Sequence, residues 1–127
     1  MKEIISTGKA PQAIGPYSQA VKVKCAQLVF CSGQIAIDPQ TKKIVGKTAA
    51  EQCKQVMKNL SEVLRSAGIG FESVVKTTIY LADMKDFASV NEVYGSYFDK
   101  QPPARATIQA AGLPLDARVE IDAIAVI

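Results

Sequence analysis

The sequence contains no histidine and no tryptophan, and only 6% of its 127 residues are aromatic. Histidine is the general base of the usual catalytic triads and the commonest nitrogen ligand in protein metal sites. Its absence excludes a Ser-His-Asp or Cys-His triad and any metal site built on imidazole.

Cysteine is also scarce, with three residues at Cys25, Cys31 and Cys53. Three is not the even number of a disulfide framework, and the spacing is not the C-x-x-C of a zinc site. We interpret all three as buried, reduced thiols. The sequence therefore predicts no metal site and no disulfide scaffold.

Long apolar segments and runs of like charge are missing as well. Fifteen Lys and Arg residues stand against 12 Asp and Glu, and the resulting net charge of +3 is too small to indicate binding to nucleic acid or a membrane surface. Residues 1–12 lack the apolar stretch of a signal peptide, and no apolar run approaches the roughly 18 residues of a transmembrane helix. We expect a cytoplasmic protein with one domain over residues 1–127.

Strand patterns occur in four parts of the chain. Residues 21–24 alternate at period two and residues 26–37 are apolar and β-branched, so together they predict a β-hairpin. Residues 73–82, 104–110 and 118–127 are predicted as further strands.

Two helices are predicted between these strands. Thr48 and Glu51 form a capping box, after which apolar residues recur every three or four positions until Gly68. A second helix starts after Asp83 or Asp86, with Phe87, Val90, Tyr94 and Tyr97 on one stripe, and is expected to end at Pro102 and Pro103. The predicted order is ββαβαββ.

The predicted sheet has more apolar surface than two helices can cover. In the last strand Ile121 and Ala123 point one way, and Ile124 and Val126 point the other. An exposed apolar sheet face would aggregate, so we expect self-association through the sheet. Clefts between subunits then become natural ligand sites.

Five segments, in this order along nearly the whole chain, resemble the RidA/YjgF family of reactive intermediate deaminases: "IGPYSQA" (14–20), "SGQIAIDP" (32–39), "VKTTIYLADMKDFASVNEVY" (75–94), "PPARAT" (102–107) and "VEIDAIAV" (119–126). The resemblance implies a chorismate-mutase-like α+β fold, with two helices on one face of a mixed sheet. It also implies a homotrimer packed through the sheets with clefts at the subunit interfaces. The implied activity is hydrolysis of 2-imino acids to 2-keto acids and ammonia, with no cofactor and no metal.

Arg105 is the central candidate residue of the predicted site. Its planar guanidinium matches a carboxylate in a two-point contact, so a small carboxylate substrate is one natural partner. A salt bridge to Glu120 or Asp122 that only joins strands is the other interpretation, and the residues alone leave both open. The family resemblance favours the substrate.

Thr107 and Glu120 are further candidate catalytic residues, one on each of the last two predicted strands. Thr107 lies two residues beyond Arg105 and shares its strand face, and the resemblance implies that its main-chain carbonyl contacts the imine nitrogen. Many family members have cysteine at this position, so threonine excludes a thiol nucleophile here. Glu120 is a candidate for holding and activating water, or alternatively pairs with Arg118 or Arg105.

Tyr17 follows a Gly-Pro pair that would fix its phenol at the edge of a cleft. Four further residues are expected to bind substrate: Ser32 and Gly33 as donors near the carboxylate, and Phe87 and Asn91 at the mouth of the cleft. Each of these could equally serve a turn, a core or a helix surface.

Two other functions stay open at this point. A binding module could sense a keto acid or another small carboxylate in the same cleft without turnover, in which case Glu120 would be dispensable. Ribonuclease activity is disfavoured, because the chain lacks histidine and has no basic stripe with interleaved aromatic residues. Chorismate mutase activity would follow from fold analogy only.

Overall fold

The computed structural model describes residues 2–127. In chain order its strands and helices are β1 (Lys2–Ile5), β2 (Ala20–Val23), β3 (Leu28–Gln34), α1 (Ala49–Ser66), β4 (Val74–Leu81), α2 (Phe87–Gly95), β5 (Ala104–Gln109) and β6 (Val119–Val126). The main sheet has the order β3-β6-β4-β5, and β1 and β2 form a separate two-stranded sheet. Strands β4 and β5 run parallel, and the other pairs of the main sheet are antiparallel. The predicted α+β class, with a mixed sheet and two helices, is confirmed.

The core lies between the main sheet and the helices. Strand β6 alternates between buried and partly exposed residues along its length, as period two requires. Its buried members join apolar residues of α1, α2, β3 and β4 in one cluster, which includes Val56, Leu60, Ile79, Val90 and Ile121. Both helices therefore cover the same face, as predicted.

Helix α1 begins and ends where the sequence predicts. The Thr48 hydroxyl accepts a hydrogen bond from the Glu51 amide, and the Glu51 carboxylate accepts one from the Thr48 amide, so the capping box is complete. Hydrogen bonds from the backbone amides of Lys47 and Thr48 lower the pKa of the Glu51 carboxyl. At the other end Gly68 takes a φ of 78°, a left-handed conformation that glycine adopts without strain.

The predicted hairpin of residues 21–24 and 26–37 is wrong. Strand β2 pairs with β1, where Lys2 lies opposite Val23, and β3 pairs with β6. Between β2 and β3 the amides of Ala26 and Gln27 donate to the Ile127 carbonyl instead of closing a hairpin turn. Period-two alternation identifies a strand but not its partner, and strand β1 was not among the predicted strands.

Helix α2 is shorter than predicted and is capped differently. It ends at Gly95, well before Pro102. Asp83 caps a short 3₁₀ turn over Met84–Asp86 through the Lys85 amide, and Asp86 precedes α2 without a side-chain cap.

The uncovered face of the sheet is apolar at one end. Phe30 is 70% exposed, Leu28 is 53% exposed, and both lie opposite partly exposed residues of β6, Ile124 and Val126. The prediction that the last strand is apolar on both faces is confirmed. Assembly into a homotrimer stays a prediction.

Two cysteines are buried, but the prediction was wrong for Cys25, which is exposed. Burial raises the pKa of the Cys53 thiol to about 12 and also raises that of Cys31. Within residues 2–127, none of the helices has the length and apolar character needed to cross a bilayer.

Candidate functional site

Arg105 lies on the edge strand β5, on the face that the helices cover. Its register partner in β4 is Thr77, which is buried and whose hydroxyl is 2.7 Å from the hydroxyl of Tyr94 on α2. Register partners on neighbouring strands project to the same side of a sheet, so Arg105 extends toward α2.

The Arg105 guanidinium is surrounded by three aromatic rings and one amide. Its Cζ lies 5.2 Å from the ring centroid of Tyr94, 5.3 Å from that of Tyr17 and 5.7 Å from that of Phe87. Nη1 donates a hydrogen bond to Asn91 Oδ1 at 2.7 Å. The rings hold the cation by its attraction to their faces, and the amide fixes its rotation.

No carboxylate of the described chain pairs with this guanidinium. The ion pairs of residues 2–127, Lys22 with Glu3 and Arg65 with Glu62, both lie on the exposed surface. Burial lowers the pKa of Arg105, while Tyr94 and Tyr17 act in the opposite direction. The guanidinium nevertheless keeps its charge, because its ordinary pKa is far above neutrality. Arg105 is thus a half-buried cation that lacks an anion.

Thr107 is on the same face as Arg105, as predicted, and lies beside Ile79 of β4. Its Oγ1 is buried without a hydrogen-bond partner in the described chain, so the hydroxyl is not accessible to a ligand. The main-chain carbonyl is the remaining acceptor of this residue.

Backbone hydrogen bonds show which way that carbonyl points. The Ala110 amide donates to Leu81 of β4, whereas the Pro103 carbonyl accepts from Ser18 on the other side of β5. Backbone groups alternate in direction along a strand, so the carbonyl of Thr107 is directed away from β4. It lies on the free edge of the sheet, where a ligand or another chain can reach it.

Glu120 and Gly33 form a second group, on β6 and β3. Gly33 lies so close that a Cβ built on it would overlap Oε2 of Glu120 and stand 2.8 Å from its Cδ. Ser32, the residue before Gly33, is exposed. The sequence predicted these three residues as parts of one site, and the structure brings Gly33 and Glu120 together.

The two groups lie on opposite faces of the sheet. Glu120 is the register partner of Tyr80, and Arg105 is the register partner of Thr77. Thr77 and Tyr80 are three residues apart on one strand, so their side chains point to opposite sides. Tyr17, Phe87, Asn91 and Arg105 therefore share one location within the chain, and Glu120 does not belong to it.

The alternative pairings of the acidic residues are wrong. Asp122 accepts a hydrogen bond from the Tyr80 hydroxyl at 3.0 Å, which raises the pKa of Tyr80, and does not pair with Arg105. Glu120 takes part in no ion pair of the described residues, so neither Arg105 nor Arg118 is its partner.

Tyr94 is the residue of this site that sequence reasoning missed. It was predicted only as a member of the apolar stripe of α2, and it is buried, but its ring also supports Arg105. Burial raises its pKa to about 12, so its hydroxyl stays protonated beside Thr77. Its place one turn after Asn91 is the signal that could have identified it.

The residues 2–127 contain no group of three or more side chains that could hold a metal ion. The candidate residues form two groups: a cation with aromatic rings, an amide and backbone groups on one face of the sheet, and a carboxylate on the other. Such groups can bind an anion, orient it and activate water.

Comparison with known proteins extends over almost the whole chain. A family model described as endoribonuclease L-PSP matches residues 7–127. The 2-iminobutanoate/2-iminopropanoate deaminase of Mus musculus is 52% identical over 126 residues, which cover 99% of this chain and 92% of the mouse protein. The chloroplastic Reactive Intermediate Deaminase A of Arabidopsis thaliana is 52% identical over 98% of this chain, which spans 65% of that protein. The crystal structure of E. coli TdcF with bound serine aligns with a TM-score of 0.75 and 40% identity over 98% of each chain.

Proposed function

The chain belongs to the RidA/YjgF family, whose family model is described as endoribonuclease L-PSP, and on this premise we propose that it hydrolyses 2-imino acids to 2-keto acids and ammonia. The observation that carries the proposal is Arg105, a half-buried cation with aromatic rings around it and no carboxylate beside it. A substrate carboxylate is the anion that this arrangement lacks.

The reaction requires little from the protein. Water adds to the carbon of the C=N bond, the C–N bond then breaks, and the nitrogen leaves as ammonia with the protons it has gained. The carbon beside a carboxylate is already electrophilic, particularly when the nitrogen is protonated. Orientation of the substrate, a positioned water and proton transfer are therefore sufficient, and no covalent nucleophile is needed.

Each predicted residue has a role in this scheme. Arg105 binds the carboxylate, with Asn91 fixing the guanidinium and Phe87 lining the mouth. The Thr107 carbonyl and the Tyr17 hydroxyl stabilise an iminium-like nitrogen. Glu120 orients or deprotonates the attacking water, and its general-base contribution is on the order of 10²- to 10⁴-fold. Ser32 and Gly33 supply hydrogen-bond donors near the substrate carboxylate.

The opposite faces of Arg105 and Glu120 support a site shared between subunits. We propose a homotrimer that buries the apolar end of the uncovered face, where Phe30 and Leu28 are exposed. In this assembly the Arg105 group of one subunit meets Glu120 of the partner subunit. The free backbone edge at Thr107 would lie in the same cleft.

A second candidate function is binding of a small carboxylate without turnover. It is favoured by the E. coli relative whose structure contains serine, a small molecule with a carboxylate. It uses Arg105 in the same way and leaves Glu120 without a role. Ribonuclease activity appears in the description of the family model, but the residues that contact the Arg105 guanidinium are aromatic rings and an amide, and not a second basic residue for a phosphate backbone.

The test is direct. An amino-acid oxidase generates 2-iminobutanoate or 2-iminopropanoate in situ, and keto-acid or ammonia release is followed with and without the protein. We expect faster release with the protein, unchanged by prolonged EDTA treatment. Release at the uncatalysed rate, together with binding of 2-oxobutanoate, would establish the binding function instead.

Light scattering tests the assembly, because in a monomer at micromolar concentration the Arg105 group would lack Glu120 of the partner subunit.

A cytoplasmic location also stays a prediction, and the Arabidopsis relative is named as chloroplastic.

A further inference from the structure

Tyr17 belongs to a segment that has no regular structure of its own. Residues 6–17 form neither helix nor strand, and most of them are exposed. Ile14 is 93% exposed, so the segment gains little from apolar packing. Apart from Pro16, which lies next to Gly95 of α2, the segment depends on hydrogen bonds to hold the Tyr17 ring at 5.3 Å from the Arg105 guanidinium.

The Gln19 side chain makes hydrogen bonds to three residues of this segment. Its Oε1 accepts from the Thr7 amide at 2.6 Å. Its Nε2 donates to the Pro11 carbonyl at 2.5 Å and lies 3.2 and 3.4 Å from the carbonyls of Thr7 and Ala10. The oxygen and the nitrogen of the Gln19 side-chain amide are thus both used, and they connect the start of the segment to Gln19, the residue after Ser18.

Ser18 fixes the other side of Tyr17. It is buried, its amide donates to the Pro103 carbonyl at 3.1 Å, and its hydroxyl donates to the Pro102 carbonyl at 2.5 Å. Pro103 precedes Ala104 and Arg105 in the chain, so Ser18 joins the Tyr17 segment to the residues that position the guanidinium.

We propose that Gln19 is a positioning residue for the imine hydrolysis: it closes the segment of residues 6–17 onto the Ser18 anchor and so holds Tyr17 against Arg105. The proposal rests on the proposed function, because Tyr17 is there a contact of the substrate nitrogen. The role requires an amide. A carboxylate of equal size could accept from Thr7 but would place negative charge against the carbonyls of Thr7, Ala10 and Pro11.

The variant Gln19→Glu tests whether the amide is required. While the new carboxyl is ionised, it repels the three carbonyls; when protonated, it regains a donor and an acceptor. The charged groups nearby are Lys9, the one charged residue of the segment, and the exposed Lys22–Glu3 pair on β2 and β1. The lysines favour the ionised carboxylate and the three carbonyls favour the protonated acid, so recovery should begin as the pH falls toward the ordinary titration range of a glutamate.

The matched control is Gln12→Glu. Gln12 lies in the same segment and donates one bond, to the Thr7 carbonyl at 3.1 Å. For Gln19→Glu at pH 8 we expect kcat/KM on the order of 10- to 10²-fold below wild type, mainly through a higher KM. The ratio of kcat/KM of the variant to that of wild type should rise as the pH falls toward 5. Both proteins are measured at the same pH, so the pH dependence of the imine itself cancels in this ratio. A ratio that does not change with pH, or that changes equally in Gln12→Glu, overturns the proposal.

Gln19→Ala separates this proposal from the proposed function. Hydrogen exchange of the Thr7 amide reports release of the segment, and calorimetry reports the affinity for 2-oxobutanoate, whether or not the protein turns over imines. Faster Thr7 exchange with at least about tenfold weaker 2-oxobutanoate binding supports the positioning role. Faster exchange with wild-type affinity and wild-type turnover refutes it and leaves the proposed function intact. Wild-type protein that binds 2-oxobutanoate without hydrolysing imine refutes the deaminase instead.

Discussion

The side chains of Arg105 and Glu120 project from opposite faces of the main sheet, and β4 separates the strands that carry them. Arg105 extends into the aromatic rings beneath α2, and Glu120 lies against Gly33 on the face without helices. One chain therefore cannot direct both groups at a molecule as small as an imino acid. If both take part in one reaction, two copies of the chain must supply them.

Mixing two inactive variants tests this relationship. Arg105→Ala removes the carboxylate contact and Glu120→Gln removes the base, so each homogeneous protein should hydrolyse imine poorly. When equal amounts are unfolded and refolded together, we expect about a quarter of the wild-type activity, because each cleft of a cyclic assembly then draws its two subunits independently. Keto-acid release before and after mixing measures it.

The control is the same experiment with each variant mixed with itself. If the mixed sample stays as inactive as its components, and light scattering shows that the subunits have exchanged, the shared cleft is wrong.

Arg105→Lys tests the carboxylate contact itself. Lysine keeps the charge among Tyr17, Phe87 and Tyr94 but loses the planar two-point contact and the bond to Asn91. A misplacement of about 1 Å can cost on the order of 10²-fold in rate, so kcat/KM should fall by at least that much. The melting temperature should change little, because Arg105 has no ion pair in the fold to lose.

Arg65→Lys on the exposed surface of α1 is the matched control and should leave both quantities unchanged. An active but less stable Arg105→Lys protein would mean that the guanidinium serves the fold rather than the substrate.

Local patterns predicted much of this fold. Helix α1 followed from the Thr48 capping box and the apolar spacing, because capping and helix periodicity involve residues close in the chain. The partner of β2 was mispredicted, because pairing depends on residues far away in the sequence. The candidate site was likewise predictable in its local features but not in its long-range ones. Residue types indicated Arg105 and Glu120, but their opposite faces depend on the register of two strand pairs, which no local pattern encodes.

Glu120→Gln separates turnover from binding. The amide keeps the size and hydrogen-bonding reach of the side chain but cannot accept a proton, so turnover should fall by on the order of 10²- to 10⁴-fold. Affinity for 2-oxobutanoate, measured by calorimetry, should stay near wild type, because Arg105 binds the carboxylate. Asp122→Asn, on the same strand and face, is the control. Wild-type turnover in Glu120→Gln would assign the residue to the fold and favour the binding function.

Thiol alkylation tests the absence of a cysteine nucleophile. Iodoacetamide at pH 8 should modify the exposed Cys25 and spare Cys31 and Cys53, whose burial raises their pKa values and withholds the thiolate. Mass spectrometry should find one adduct on the folded protein and three after unfolding. Imine hydrolysis should survive the single modification. Loss of activity that follows alkylation of Cys31 or Cys53 would reveal a role for a thiol.

Gly33→Ala moves Glu120 without changing its chemistry. The added Cβ would overlap the Glu120 carboxylate, which is the flexible end of a side chain, so the carboxylate should move and the strands should stay. We expect turnover lower by on the order of 10²-fold, with a melting temperature close to wild type. Gly112→Ala, whose Cβ would meet nothing within 4 Å, is the matched control.

The double variant Gly33→Ala with Glu120→Gln decides how the loss arises. If Gly33→Ala acts only by displacing the Glu120 base, adding it to Glu120→Gln should cost almost nothing further, because the group that it displaces no longer transfers a proton. If the two losses multiply, Gly33 contributes on its own, and its backbone donor would then be a separate substrate contact. If Gly33→Ala is fully active, the carboxylate works from more than one position, and the requirement for a water held in one position at Glu120 is wrong.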